Sequence, residues 1–159
     1  MEKALARPEG DTMPDSIQRS LEQLFSRFEI CWKNSGYPSQ EYDPQWPSPC
    51  QIGDHNNPLI EWHPVPQHPT QDFHNIESAL EIRLHPDIHP FYGLFFSDPL
   101  PALFKGHKID LIQAWNSDDF KRLQQNMIQH VLMQRQLKQP TTLFIATTED
   151  EMEIISLVN

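Results

Sequence analysis

The eight histidines are the residues of this chain whose type most readily suggests chemistry, because an imidazole nitrogen can bind a metal ion. His85 and His89 are four residues apart, a spacing that places two ligands on one face of a helix. Pro86 and Pro90 interrupt any helix there, so the spacing loses this meaning. A second group lies at irregular intervals in a proline-rich stretch: His63, His68 and His74. No cysteine accompanies either group at zinc-finger spacing, and the sequence therefore predicts no metal site.

The two cysteines and the serines offer little support for nucleophilic catalysis. Cys31 falls in a helical pattern and Cys50 follows a Pro-Ser-Pro turn. No G-x-S-x-G motif occurs, and the five isolated glycines form no phosphate-binding loop. We therefore predict no catalytic residue and no cofactor. A hydrolase that uses Cys50 or a histidine remains an alternative, and it requires Cys50 within hydrogen-bond reach of a histidine in a cleft.

The charge balance excludes two classes of partner. The chain has 159 residues with 22 acids and 12 Lys/Arg, a net charge of −10. A nucleic-acid-binding protein carries a basic patch, but the longest basic cluster here is Lys121-Arg122. We therefore expect no binding to nucleic acid and no insertion into lipid, since anionic headgroups would repel the chain.

The acids concentrate in two segments. Between Ser35 and Pro90 the only Lys or Arg is Arg83, and no Lys or Arg follows Lys138. An acidic surface attracts a basic partner, whereas the simpler interpretation is a solvated surface that maintains solubility. Nine candidates for a partner-binding surface follow from this distribution: Glu61, Glu77, Glu81, Asp118, Asp119, Glu149, Asp150, Glu151 and Glu153. Glu77 and Glu81 are four residues apart and are expected to share one side of a short helix.

The hydrophobic pattern predicts an α+β fold: one domain with a mostly antiparallel sheet packed by two long helices and one short helix. The first long helix starts near Asp15 and stops before Gly36; the second is capped by Ser117 and stops before Pro140. The helical spacing predicts one buried stripe on the second helix: Phe120, Leu123, Met127, Val131 and Gln134. The short helix follows Asp72. Alternating or apolar runs predict six strands at residues 59–63, 91–96, 100–104, 109–115, 142–147 and 152–158, with 91–96 and 109–115 as antiparallel neighbours.

The N-terminal residues and the two thiols indicate the cellular compartment in which the protein is expected. Residues 1–14 mix proline, glycine and charges without periodicity and are predicted to be a flexible segment preceding a domain at 15–159. The N-terminus has no signal-peptide pattern, and no apolar run reaches the length of a membrane span. Two unpaired thiols are typical of a reducing compartment, so we expect a cytosolic protein.

Three stretches carry a more specific pattern. They are Pro47-Ser-Pro-Cys50 with the strand that ends at Trp62, then Pro86-Asp-Ile-His89-Pro-Phe-Tyr92, and then a long run from Leu111-Ile-Gln-Ala-Trp-Asn-Ser-Asp-Asp-Phe120 through Gln125–His130 to Leu137–Ala146. In order and spacing they resemble the Syd family of SecY-interacting proteins over residues 15–159.

The resemblance implies a function and a fold. It implies a non-enzymatic protein of the cytoplasm and the cytoplasmic side of the bacterial inner membrane, which binds the basic cytosolic loops of the translocon channel SecY through a concave, negatively charged surface. Such a protein sequesters or checks SecY that is uncomplexed or misassembled, and we expect a monomer or weak dimer. The implied fold is SUKH-like, which leaves open an immunity protein that neutralises a toxin. Family members continue past the position of Asn159 with a strand and an amphipathic helix, which this chain is expected to lack.

Overall fold

The computed structural model describes residues 13–159, and these form the predicted α+β architecture of helices with antiparallel sheets. The prediction of a flexible segment at 1–14 falls largely on residues 1–12, which lie outside this range. Within residues 13–159, four helices and nine strands follow one another in this order: α1 (Met13–Ser35), β1 (Ser39–Glu41), β2 (Gln51–Ile52), β3 (Leu59–Trp62), β4 (Val65–Pro66), α2 (His74–Leu80), α3 (Ile88–Gly93), β5 (Phe95–Phe96), β6 (Leu100–Phe104), β7 (His107–Leu111), α4 (Ser117–Gln136), β8 (Thr142–Thr148) and β9 (Ile154–Val158).

The strands form three antiparallel sheets. The largest has the order β6-β7-β8-β9, so that β6 and β9 are its edges. Its hairpins are in register through the pairs Leu100 with Leu111 and Leu143 with Leu157. A three-stranded sheet has the order β1-β3-β2, and a two-stranded one joins β4 to β5. The strand predicted at 59–63 is confirmed as β3. Strands β1, β2 and β4 lie in the same proline-rich region, where no other strand was predicted.

Helix α1 packs beside α3, and its aromatic side chains contact β5 and β3. Phe25 meets Phe95 edge to face with ring centroids 4.5 Å apart, and Trp32 meets Trp62 at 5.5 Å. Such aromatic pairs stabilise a packing interface beyond their buried area. Gly36 ends the helix with φ +98°, a left-handed conformation that favours glycine.

Helix α4 buries the predicted stripe against the core: Phe120, Leu123, Met127, Val131 and Gln134. Its cap is Asn116 rather than Ser117, which is the first helical residue. Asn116 Oδ1 accepts from the Asp119 N–H at 2.8 Å, and the Asp119 carboxylate accepts from the Trp115 N–H at 2.8 Å. Asn and Ser cap equally well, so the choice depends on a distant contact: Asn116 Nδ2 donates to the carbonyl of Pro47.

The strand predicted at 91–96 is wrong over most of its length, because residues 88–93 form α3. Pro90 lies in the first turn of α3, where a missing N–H breaks no helical bond. Gly93 then allows a close approach: a Cβ there would lie 1.7 Å from the carbonyl oxygen of Gln71. Only Phe95 and Phe96 are extended, and they pair with β4.

The predicted pairing of that segment with residues 109–115 is also wrong. Phe96 forms only an isolated parallel bridge with Ala114. Strand β7 ends at Leu111, and the buried residues Gln113 to Asn116 lead into α4. Tyr92 instead lies in the core from α3, where its hydroxyl donates to the Phe144 carbonyl at 2.6 Å.

We expect Asn116→Ala to lower the free energy of unfolding by about 1–2 kcal/mol, because it removes the cap of α4 and the bond to Pro47. Ser117→Ala is the matched control and should change stability by less than about 0.5 kcal/mol. Urea denaturation of the two variants measures the difference. Equal losses would show that Asn116 does not define the start of the helix.

Candidate functional site

The nine acids predicted from the sequence lie in four separate places on the fold. Glu61 lies on the three-stranded sheet, and Glu77 and Glu81 lie at α2. Asp118 and Asp119 form the first turn of α4. The remaining four lie between β8 and β9: Glu149, Asp150, Glu151 and Glu153.

The exposed face of the three-stranded sheet joins Glu61 to a second acid. Ser39 pairs with Glu61, and Glu41 pairs with Leu59, so the two glutamates are diagonal neighbours on one face. Diagonal neighbours lie roughly 7–8 Å apart. Leu59 between them is 58% exposed. Sequence reasoning missed Glu41 because only the register of β1 on β3 brings it here.

Glu77 is held in the fold rather than presented to solvent. Its Oε1 accepts from the Leu84 N–H at 2.8 Å, and its Oε2 lies 2.7 Å from Nδ1 of His74. His89 Nε2 lies 3.6 Å from Oε1. Burial alone would raise the pKa of Glu77, but the bonds from His74 and Leu84 and the charge of His89 together hold the pKa below its ordinary value.

Glu81 differs from Glu77 although both line one shallow depression of about 460 Å³ beside Arg83. Helix α2 ends at Leu80, and Glu81 is the left-handed residue that follows it, with φ 52°. Its carboxylate is exposed, without a hydrogen bond or ion pair to the described part of the chain. The two acids therefore do not act as one helical face.

The two aspartates in the first turn of α4 also differ in how far their carboxylates are already bonded within the fold. Asp119 is a structural residue: besides bonding the Trp115 N–H, its carboxylate accepts from Arg122 at 2.6 Å. Asp118 is exposed and pairs with Lys121 at 3.4 Å. An exposed pair of this kind contributes only about 0–1 kcal/mol, so Asp118 stays available to a partner.

The turn between β8 and β9 presents two free carboxylates. Glu149 lies 3.6 Å from Lys108, and Asp150 accepts from the Met152 N–H within the turn. The carboxylates of Glu151 and Glu153 are exposed and bond to none of the residues between 13 and 159, although the backbone of Glu153 bonds to Thr148 and Asp150. Phe104, Ile109 and Ile155 line an adjoining cavity of about 390 Å³.

Three of these places lie far apart on the fold. The side chain of Asn159, just past the end of β9, bonds to Arg83 and His85 near α2. Glu153 precedes the other end of that strand, roughly 20 Å away at 3.3 Å per residue. The Arg135 guanidinium likewise bonds the Leu80 carbonyl, which places Glu81 about 25 Å of helix from Asp118.

A cluster that sequence reasoning missed lies beside Glu77. His74 and Glu77 are three residues apart on α2, and His89 comes from α3; their ligand atoms all lie within 4.8 Å of one another. His85, whose four-residue spacing from His89 carried no prediction of a metal site, is not part of the cluster: its Nδ1 accepts from the Asp87 N–H at 3.3 Å. The only sequence feature that indicated this cluster was the i, i+3 spacing of His74 and Glu77. That spacing does not show that His89 joins them.

Cys50 does not meet the requirement for a catalytic thiol. Its side chain is 0% exposed within the core, and its sulfur faces Ser48 and the backbone of Val65 rather than a histidine. Burial raises the pKa of Cys50 to about 11. Since the thiolate is the nucleophile, the hydrolase alternative loses its candidate.

Comparison with known families gives a direct match. The model of the family described as Syd protein (SUKH-2) matches residues 18–159. The chain belongs to the Syd family. The relatives named Protein Syd include one from Psychromonas ingrahamii, 46% identical over 149 residues, which are 92% of this chain and 81% of the relative.

Two further Syd relatives show the same coverage. That of Pseudoalteromonas atlantica is 39% identical over 151 residues, and that of Aliivibrio salmonicida is 40% identical over 149 residues. Each alignment spans 92% of this chain and 81% of the relative. Within residues 13–159, none of the helices combines the length and the apolar character that crossing a bilayer requires.

The thiols should differ in reactivity. Cys31 is exposed, whereas burial and a pKa of about 11 leave Cys50 almost wholly protonated near neutral pH. We expect Ellman's reagent to label one thiol rapidly in the folded protein and the second only after denaturation. Cys31→Ser should abolish the rapid phase. Rapid labelling of Cys50 in that folded variant would contradict its burial.

Glu77→Ala should lower the free energy of unfolding by about 1–3 kcal/mol, because it leaves the Leu84 N–H without its acceptor. Glu81→Ala is the control and should have little effect. Because the pKa of Glu77 lies below the ordinary 4.5, its contribution is present above pH 4.5 and is lost as the pH falls through the lowered pKa. Chemical denaturation at neutral and acid pH tests both points; a difference that grows in acid would reverse the assigned sign.

Proposed function

We propose that this Syd family member binds the basic cytosolic loops of SecY through its exposed acids, without catalysing a reaction. Binding would sequester or check SecY that is uncomplexed or misassembled, at the cytoplasmic side of the inner membrane. Membership of the Syd family supports this role, since SecY interaction is what the resemblance to that family implies. The net charge of −10 supports a basic partner.

The observation that carries the proposal is a set of exposed carboxylates without a partner in residues 13–159: Glu61, Glu81, Glu151 and Glu153. The carboxylates of Glu77 and Asp119 already accept hydrogen bonds from the backbone, and a partner that bound them would break those bonds and destabilise the fold. A free carboxylate carries no such cost. It attracts Lys or Arg over about 8 Å at physiological salt.

The pair Glu41 and Glu61 makes the small sheet the favoured contact surface. Two like charges on one sheet face repel each other, and a basic side chain between them would relieve that repulsion. Exposed Leu59 offers an apolar surface for the aliphatic part of a Lys or Arg side chain. The shallow depression beside Glu81 is the second candidate contact surface, although the positive charge of Arg83 weakens its negative potential.

Such contacts govern encounter and partner choice more than final affinity. Each exposed pair contributes about 0–1 kcal/mol, while the summed field raises the association rate. We therefore expect the affinity for SecY to fall steeply with ionic strength. Surface plasmon resonance with SecY in detergent, from low salt to about 0.5 M, measures this. An unchanged association rate at high salt would rule out an electrostatic contact.

Charge reversal at each place identifies the surface. We expect Glu41→Lys combined with Glu61→Lys to weaken binding more than Glu81→Lys or the pair Glu151→Lys and Glu153→Lys. Glu22→Lys combined with Asp110→Lys is the matched control, because both residues are exposed and the change in net charge is equal. Equal weakening by the three double variants, control included, with a smaller effect of the single Glu81→Lys, would mean that only net charge matters. No weakening by any of them would overturn the acidic-surface model.

The SUKH-2 class keeps the immunity role as a second candidate. A pull-down from solubilised membranes and from the soluble fraction separates the two roles. Recovery of SecY from membranes supports the first. Recovery of a soluble toxin, whose activity the chain then suppresses, supports the second.

A further inference from the structure

The junction of α2 and α3 gathers three potential ligands. His74 Nδ1 lies 2.7 Å from Glu77 Oε2, and His89 Nε2 lies 3.6 Å from Glu77 Oε1. The two imidazole rings face each other with centroids 4.5 Å apart. We propose that His74, Glu77 and His89 form a binding site for a divalent transition metal, with zinc as the best fit.

The donor set selects the metal. Two imidazole nitrogens and one carboxylate are ligands that zinc accepts in tetrahedral sites, whereas magnesium and calcium prefer oxygen donors alone. Three protein ligands leave a fourth position free. That position opens towards a groove of about 680 Å³ lined by Arg83, Pro86 and Pro90, which admits water or a partner side chain.

The surrounding contacts place two of the ligands for this role. The Leu84 N–H holds one oxygen of Glu77 and so leaves the other directed at His74. Bonds of this kind to a ligating carboxylate orient it towards a metal. The side chain of His74 is 67% exposed and can turn to meet an ion without disturbing the core.

One hydrogen bond opposes the metal and limits its affinity. Nδ1 of His89 accepts from the Phe73 N–H at 3.0 Å, so the ring proton of neutral His89 lies on Nε2. A metal on Nε2 moves that proton to Nδ1, which then faces a second donor. The Phe73 bond must break, and the site should bind zinc roughly ten- to a hundredfold more weakly than one without this conflict.

Loss of the hydrogen bond from the Phe73 N–H to His89 gives a measurable change that is specific to metal binding. On binding, the amide resonance of Phe73 should shift and its hydrogen exchange should accelerate, because the N–H loses its acceptor. An ion pair between His74 and Glu77 alone, the rival interpretation of this cluster, produces neither change on addition of metal. The inference is independent of the proposed role in SecY binding, since it needs no partner.

Titration calorimetry of the tag-free chain with zinc chloride near neutral pH tests the site, and magnesium chloride serves as the comparison. We expect one saturable zinc site and no magnesium binding. His74→Ala should weaken zinc binding at least tenfold and, because His74 is exposed, should leave the fold intact. His107→Ala removes another exposed histidine and should have no effect.

His89→Ala is the second variant, with circular dichroism as a check on its folding. Loss of zinc binding in both His74→Ala and His89→Ala, together with the Phe73 amide shift in the parent, supports the site. An unchanged affinity for zinc in His74→Ala overturns it, and so does the absence of saturable binding in the parent.

Discussion

The junction at Trp115 and Asn116 holds the parts of this fold together. Asn116 caps α4 and also donates to the Pro47 carbonyl, while the Ser48 hydroxyl donates to the carbonyl of Trp115. The Trp115 ring packs edge to face on Trp62 of the three-stranded sheet. One short segment thus ties the proline-rich region to the start of the helix that covers the core. Together with the contact between Trp62 and Trp32 of α1, it anchors the small sheet that presents Glu61 to the rest of the domain.

The acids of this chain divide by what their oxygens already bind. Glu77 and Asp119 satisfy buried backbone N–H groups, and they are therefore part of the structure in the same sense as a cap or a core residue. The exposed carboxylates of Glu61, Glu81, Glu151 and Glu153 accept no hydrogen bond from residues 13–159. The second kind can change partners at little cost to stability, which is what a reversible binding surface requires.

Helices α2 and α3 illustrate how local rules and distant contacts combine. Helix α2 ends at Leu80, where Glu81 takes a left-handed conformation. Pro90 is accommodated in the first turn of α3, and Gly93 lets that helix approach Gln71. The result brings His89 against the N-terminus of α2, where its ring accepts from Phe73. His74, Glu77 and His89 meet because of this packing. The segment between α2 and α3 lines the groove beside them.

The sequence by itself determined the two long helices, the hairpin of β8 and β9, the buried stripe of α4 and the family. Each depends on a period, a terminator or a motif that lies within a few neighbouring residues. Tertiary structure alone decided that residues 88–93 are helical and that Asn116 rather than Ser117 caps α4. It also decided which acids are free, and it separated them into four places. These outcomes depend on contacts between residues far apart in the chain, such as Asn116 with Pro47 and Glu77 with His89, and no local pattern encodes which distant group will satisfy a given donor or carboxylate.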